Sequence, residues 1–225
     1  MNITSNTFTN NTATNGGAIL LVNYGHDYLH IYDCIFDSNT ATDGGGLVTY
    51  SYNEGVVISN TTFMYNSVVS QGGGMYIGPN SGAWSIVNTS FIGNTASQGG
   101  GIYTVEIMYS SEIRDCIFLD NIANSGGGIY FNDKSISILL ANSQFIRNSA
   151  INIVDGVGGG TGGGVYIHDS NINLEFSNLL FHENNAQSDG GAVYIHDMNS
   201  LLDIHDTIFS SNSATGGAFC SGGKY

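Results

Sequence analysis

The chain has 225 residues, 41% of them hydrophobic, and carries a formal net charge of −14 at pH 7 with only four basic residues. Four basic side chains are too few to neutralise phosphate groups, which argues against nucleic acids and anionic membranes as partners. The hydrophobic fraction is sufficient for a buried core, and no apolar run reaches the roughly 18 residues that a membrane-spanning helix needs.

A single unit is repeated from the first residues onward, and its clearest mark is a phenylalanine. The repeated phenylalanines are Phe8, Phe36, Phe63, Phe91, Phe118, Phe145, Phe181 and Phe209. They are separated by 28, 27, 28, 27, 27, 36 and 28 residues, so the chain contains eight copies of the unit. The third residue after each phenylalanine is an asparagine, and these are Asn11, Asn39, Asn66, Asn94, Asn121, Asn148, Asn184 and Asn212. Such self-similarity is typical of repeat architectures.

Each unit also carries two further apolar positions, separated by a group of glycines. Five residues before the phenylalanine the residues are Ile3, Ile31, Ile58, Ile86, Ile113, Leu140, Phe176 and Ile204. Just after the glycines they are Ile19, Leu47, Met75, Ile102, Ile129, Val165, Val193 and Phe219. The unbroken apolar character of both sets predicts that their side chains point into a core.

Glycine pairs, polar bends and β-branched residues favour short strands over helices within each unit. Each strand then pairs in parallel with its copy one repeat later. Stacking at about 4.8 Å per coil turns the phenylalanines inward and lets the asparagines form a ladder of amide hydrogen bonds. The glycines supply bends with positive φ. We therefore predict an all-β protein, a single-stranded parallel β-helix (solenoid) of about eight coils, with residues 1–225 in one domain.

Two motifs resemble those of a known family. FxxN occurs in all eight units, for example as "FTNN", "FDSN" and "FIRN", and "GGA" followed by an apolar residue begins at Gly16, Gly190 and Gly216, whereas the other units carry "GGG". Over essentially the whole chain the repeats resemble those of the chlamydial polymorphic outer membrane proteins. The resemblance implies that the parallel β-helix is right-handed. It also implies an adhesin, the passenger of an autotransporter, located at the cell surface, in the outer membrane or secreted. It also implies a host-cell surface protein or glycan as the ligand.

A tyrosine follows the second apolar position in five successive units. These residues are Tyr76, Tyr103, Tyr130, Tyr166 and Tyr194. Since side chains alternate along a strand, the tyrosines are expected to point outward and to stack from coil to coil. Such an aromatic stripe is a candidate binding site for carbohydrate rings or a protein partner. The alternative is that the rings stack on one another and stiffen the sheet.

Two strands end in the dipeptide His-Asp, in "GGGVYIHDSN" at 162–171 and "GGAVYIHDMN" at 190–199. Repeat alignment places His168 over His196 and continues an acidic column, whose members are Glu106, Asp133, Asp169 and Asp197. Stacked like charges repel one another, and this makes a cation site conceivable, with calcium favoured by the oxygen ligands. The alternative is that these side chains extend into water. No other cofactor is predicted.

The sixth unit is longer than the others because of an insertion around residues 151–161. Insertions in solenoids form loops, which often carry binding specificity. The glycine content of this insertion is equally consistent with a tolerated flexible loop.

Three functions remain open. The first is a non-catalytic surface adhesin that binds through outward side chains. The second is a structural spacer without a ligand. The third is a polysaccharide lyase or hydrolase, which the residues favour least, because the carboxylate and basic motifs of such β-helix enzymes are missing. No signal peptide is present, and the chain begins and ends within a repeat. We therefore expect a fragment of a longer array, with membrane association only through segments outside it.

Overall fold

The computed structural model describes residues 1–22, 28–50, 53–106, 108–152 and 159–222. In these ranges the secondary structure consists of short β-strands, bridges, turns and bends, without helix. Accordingly, the described part of the chain offers no helix with the length and apolarity required to cross a bilayer.

Most strands belong to three parallel sheets, which we name after their recurrent residues. The isoleucine sheet contains Asn2–Thr4, His30–Tyr32, Val57–Ser59, Ser85–Val87, Met108–Arg114, Ile136–Ala141, Ile172–Ser177 and Ser200–His205, with Ser81–Gly82 beside Met108–Arg114. The phenylalanine sheet contains Thr7–Thr9, Ile35–Asp37, Thr62–Met64, Ser90–Ile92, Ile117–Leu119, Gln144–Ile146, Leu180–His182 and Ile208–Ser210. The tyrosine sheet contains Ile19–Leu21, Leu47–Thr49, Met75–Ile77, Ile102–Thr104, Ile129–Phe131, Val165–Ile167, Val193–Ile195 and Phe219–Ser221.

Two-residue strands connect the phenylalanine sheet with the tyrosine sheet. They are Thr40–Ala41, Ser67–Val68, Ile122–Ala123, Ser149–Ala150 and Asn185–Ala186. One strand from each main sheet makes up a coil, and every strand pairs with its own copy in the neighbouring coils. The eight strands of the phenylalanine sheet thus mark eight coils, with seven turns between the first and the last. This confirms the predicted solenoid of parallel strands.

The phenylalanines form the central column of the core. Each pairs in register with its copy, as Phe63 does with Phe91 and Phe91 with Phe118. Successive ring centroids are 4.5–5.1 Å apart, and neighbouring rings are tilted by no more than 13°. The six rings from Phe36 to Phe181 have no solvent exposure. Burying one such side chain stabilises the fold by about 1.5–3 kcal/mol.

The predicted asparagine ladder is present and fully connected. Both the backbone N–H and the Nδ2 of each asparagine donate to the Oδ1 of the next, as Asn66 does to Asn94 at 3.1 and 2.9 Å. Nδ2 also donates to a phenylalanine carbonyl of the preceding coil, as Asn94 does to Phe63 at 2.9 Å. The six inner asparagines are completely buried. The ladder therefore satisfies the polar groups of a bend that water does not reach.

The glycines have two physical roles, of which the sequence revealed one. Gly99 has a φ of +63°, as expected for a bend. Gly100 and Gly101 do not have positive φ. A Cβ on Gly100 would lie 2.5 Å from the carbonyl oxygen of Gly127, and one on Gly101 would lie 3.0 Å from the ring of Phe118. Close approach of the next coil, not backbone conformation, therefore requires glycine at the second position, whereas the third position also accommodates alanine, as at Ala192.

We predict that Asn94→Ala destabilises the protein by more than about 3 kcal/mol, because it leaves both donors of Asn66 buried without a partner and removes the amide hydrogen bond to the carbonyl of Phe63. The free energy of unfolding in urea measures the effect. Asn11→Ala is the matched control: this exposed asparagine begins the ladder, and we expect its replacement to cost less than about 1 kcal/mol. Equal losses for the two variants would show that the ladder does not stabilise the interior.

Candidate functional site

The five tyrosines stack on the outer side of the tyrosine sheet. They pair in register, and successive ring centroids are 4.6–5.7 Å apart. Tyr103, Tyr130 and Tyr166 are only 4%, 4% and 8% exposed, and they form a hydrophobic cluster separate from the main core. Since each ring covers the face of its neighbour, the faces on which a sugar would stack are already occupied. This geometry favours the self-stacking alternative, and a ligand-binding role for the column stays a prediction.

Burial changes the acidity of these phenols. Desolvation raises the pKa of Tyr76 to about 12, with smaller contributions from the Asp43 carboxylate and from Tyr50. The pKa values of Tyr103, Tyr130 and Tyr166 are raised further, again mainly by burial and then by the neighbouring phenols and carboxylates. The column is therefore uncharged under ordinary conditions.

The two His-Asp dipeptides form a diagonal ladder beside the tyrosines. His168 Nδ1 lies 2.5 Å from Asp133 Oδ1, and His196 Nδ1 lies 2.5 Å from Asp169 Oδ1. Each histidine thus contacts the aspartate of the preceding coil and not its own neighbour in sequence. The two imidazoles are stacked, with centroids 5.1 Å apart and planes within 8°, as the repeat alignment predicted. All four side chains are between 23% and 37% exposed.

The members of the predicted acidic column have different partners. Asp133 and Asp169 each accept a hydrogen bond from a histidine of the following coil. Glu106 does not join them: its carboxylate forms an ion pair with Lys134 at 3.4 Å. Asp197 continues the column, and its buried Oδ1 has no hydrogen-bond partner among the described residues. A calcium site made of these four carboxylates stays a prediction that the geometry does not favour.

The histidine pairing was not foreseen from the sequence. His168 and Asp169 are adjacent in sequence, but each has its hydrogen-bond partner in another coil. The signal was the recurrence of His-Asp at the same repeat position in two neighbouring units. The two bonded residues differ by one coil and also by one position within the repeat. A repeat alignment compares only residues at equal positions, so it does not show such a contact.

An aliphatic column on the outer face of the phenylalanine sheet was also missed. Met64, Ile92, Leu119 and Ile146 pair in register, each one residue after a core phenylalanine. Their side chains are partly exposed. In three other units the equivalent residues are Thr9, Asp37 and Ser210. The column therefore occupies only the middle of the solenoid.

The long sixth unit can be followed in part. Residues 153–158 of the predicted 151–161 insertion lie outside the described residues. On its near side, Asn152 donates its backbone N–H to Gln187 Oε1 at 3.1 Å. On its far side, Thr161 pairs in parallel with Ser125, so the regular coil has resumed. The insertion thus leaves the stacking register intact.

Comparison with known proteins identifies a fold family. A family model described as a right handed beta helix region matches residues 1–181. This agrees with the predicted handedness and with the stacked coils. No curated protein matches the chain, and no solved structure does.

The raised tyrosine pKa values predict alkaline instability. A phenol whose pKa is higher in the folded state stabilises the fold fully below its unfolded value of 10.0, and that contribution is lost as the pH rises above 10. Tyr130→Phe should therefore lower the melting temperature only slightly at pH 8, and should reduce the further decrease between pH 8 and pH 11. Circular dichroism melting curves at both values measure this, with Tyr65→Phe, at a 59% exposed position, as the control. An identical alkaline decrease in both variants and the parent would contradict the prediction.

Proposed function

The chain belongs to the family of right-handed β-helix regions, and from this premise we propose that it is a non-catalytic structural spacer, a rigid rod within a cell-surface or secreted protein. The observation that carries the proposal is that the recurrent residues are buried against one another. The inner phenylalanines, the inner asparagines and the central tyrosines all contact their own copies and are buried. What recurs in this sequence therefore specifies a rod.

The charges of the outer surface support a structural, non-catalytic role. It is acidic, with a net charge of −14, and such a charge keeps an extended protein soluble. Some of its exposed carboxylates form ion pairs with basic residues, as Asp120 does with Arg147 at 2.8 Å and Glu106 with Lys134 at 3.4 Å. Among the residues that the structure describes, no specific arrangement of these groups supports a carbohydrate-active enzyme, the third alternative.

The location at a cell surface or outside the cell rests on the repeat motifs. FxxN and GGA resemble the repeats of the chlamydial polymorphic outer membrane proteins, which supports an autotransporter passenger as the larger context. Signal and membrane segments would then belong to other parts of the protein. The fold itself does not assign a location.

Adhesion is the second candidate, and the aliphatic column favours it. Met64, Ile92, Leu119 and Ile146 place partly exposed apolar side chains about 4.8 Å apart on a flat sheet. A stripe of this kind suits a host-cell surface protein better than a glycan, because it offers no aromatic face. In that case the aliphatic column, and not the tyrosine column, would be the adhesive surface.

The spacer proposal predicts that coils are removable units. Deletion of residues 91–144 joins Ser90 to Phe145 and removes two whole repeats without changing the register. The maximum dimension measured by small-angle X-ray scattering should decrease by about 10 Å, the rise of two coils, while the circular dichroism spectrum stays β-rich. A deletion variant that folds but is not shorter along its axis would contradict the rod.

Adhesion predicts saturable binding of the full chain to cells or to immobilised surface proteins. Ile92→Ser with Leu119→Ser should then abolish binding with little loss of stability, since both side chains are already partly exposed. Val69→Ser is the matched control, because Val69 is apolar and 76% exposed but lies outside the column. Binding that only the double substitution removes would replace the spacer by an adhesin, and absence of binding supports the spacer.

A further inference from the structure

His168, Asp169 and His196 form a compact group of metal-ligating side chains. One nitrogen of each imidazole and one carboxylate oxygen of Asp169 all lie within 4.8 Å of one another. Among the described residues, no other group of three histidine, cysteine or acidic side chains meets that distance. The three side chains belong to two adjacent coils and remain partly exposed, so an ion from solution has access to them.

The carboxylate of Asp133 orients the ring of His168. Because an ionised carboxylate can only accept, the Nδ1 of His168 must donate to Asp133, and this places the lone pair of the neutral imidazole on Nε2. A carboxylate behind a histidine is the usual outer partner of a metal-bound imidazole, whose tautomer and orientation it fixes. Packing limits the rings further, since His168 lies 5.9 Å from the ring of Tyr166 and stacks on His196. His168 is thus preorganised as a ligand.

We propose that His168, His196 and Asp169 bind a divalent transition-metal ion, with zinc as the representative, and that Asp133 positions His168 for it. The ion links the sixth and seventh coils. Two nitrogens and one carboxylate oxygen are a common zinc ligand set, which leaves a fourth position for water or another molecule.

The distances require only a small adjustment. Zinc–ligand bonds of about 2.0–2.2 Å place tetrahedral ligands roughly 3.4 Å from one another. The ligand atoms here lie within 4.8 Å, so each needs to move by less than about 1 Å. Partly exposed side chains make such a movement by small rotations about their χ angles. The neighbouring histidines differ from this pair, because His182 bonds to Ser210 and His205 contacts Asp206 and Glu175.

The donors distinguish a transition metal from calcium. Calcium prefers six to eight oxygen ligands, whereas imidazole nitrogen suits zinc, copper and nickel. A calcium site that used Asp133 and Asp169 as ligands would cost both short hydrogen bonds from the histidines, whereas the zinc ion replaces only the proton between His196 Nδ1 and Asp169 Oδ1. The site therefore replaces the calcium column expected from the sequence.

Isothermal titration of the metal-free 225-residue chain with zinc chloride tests the proposal. We expect one zinc ion per chain, together with a rise in melting temperature, because the ion stabilises only the folded state. His168→Gln and His196→Gln should each weaken zinc binding by at least about tenfold. His182→Gln, at another partly exposed histidine, should bind as the parent does. Loss of affinity that is equal in all three variants, or no binding by the parent, would overturn the site.

Asp133 needs a separate test, since it positions a ligand and does not itself bind the ion. Asp133→Ala should weaken zinc binding about 10–100-fold. Asp133→Asn should restore most of the affinity, because its amide oxygen can still accept the Nδ1 proton of His168. Far-ultraviolet circular dichroism establishes that both variants are folded. Equal affinity of the Ala variant and the parent would contradict the positioning role.

Discussion

The stacking of every residue on its own copy, about 4.8 Å away, is the constraint on which the structure depends. A residue can recur at one position only if it interacts favourably with itself at that distance. Phenylalanine does so through offset ring faces, with centroids 4.5–5.1 Å apart. Asparagine does so because it carries both a donor and an acceptor, so that Asn94 accepts from Asn66 and donates to Asn121. Glycine does so by presenting no Cβ to the carbonyl above.

Charged residues do not meet this constraint by themselves, because identical charges in adjacent coils repel one another. The His-Asp ladder meets it diagonally: a base from one coil lies beside an acid of the preceding one, as His196 does beside Asp169. The ladder stops where the partner is missing. Ile195 pairs with Ser221, so Gly222 follows where a histidine would be needed, and the oxygen of Asp197 is left without a partner among the described residues.

The sequence predicted the parts of the fold in which identical positions contact one another. The inward columns and the asparagine ladder follow from the period alone, because each contact joins a residue to its copy. Contacts between residues at different positions of the repeat could not be predicted from the period. The burial of Tyr130 depends on how closely the rings stack, the need for Gly100 depends on a carbonyl of the next coil, and the pairing of His168 with Asp133 spans 35 residues with a shift of one position. A repeat alignment contains no information about such offsets.

Function in this architecture has to arise from departures from the repeat. A residue that recurs in all eight coils serves stacking, as Phe91 and Asn94 do, and its replacement affects stability before it affects any ligand. The aliphatic column and the His-Asp ladder each occupy only some of the coils. Since the coils that lack these groups contain the same strands, their presence in adjacent coils indicates a role beyond folding. A local cluster on a regular solenoid is therefore a stronger indication of binding than any column that extends from end to end.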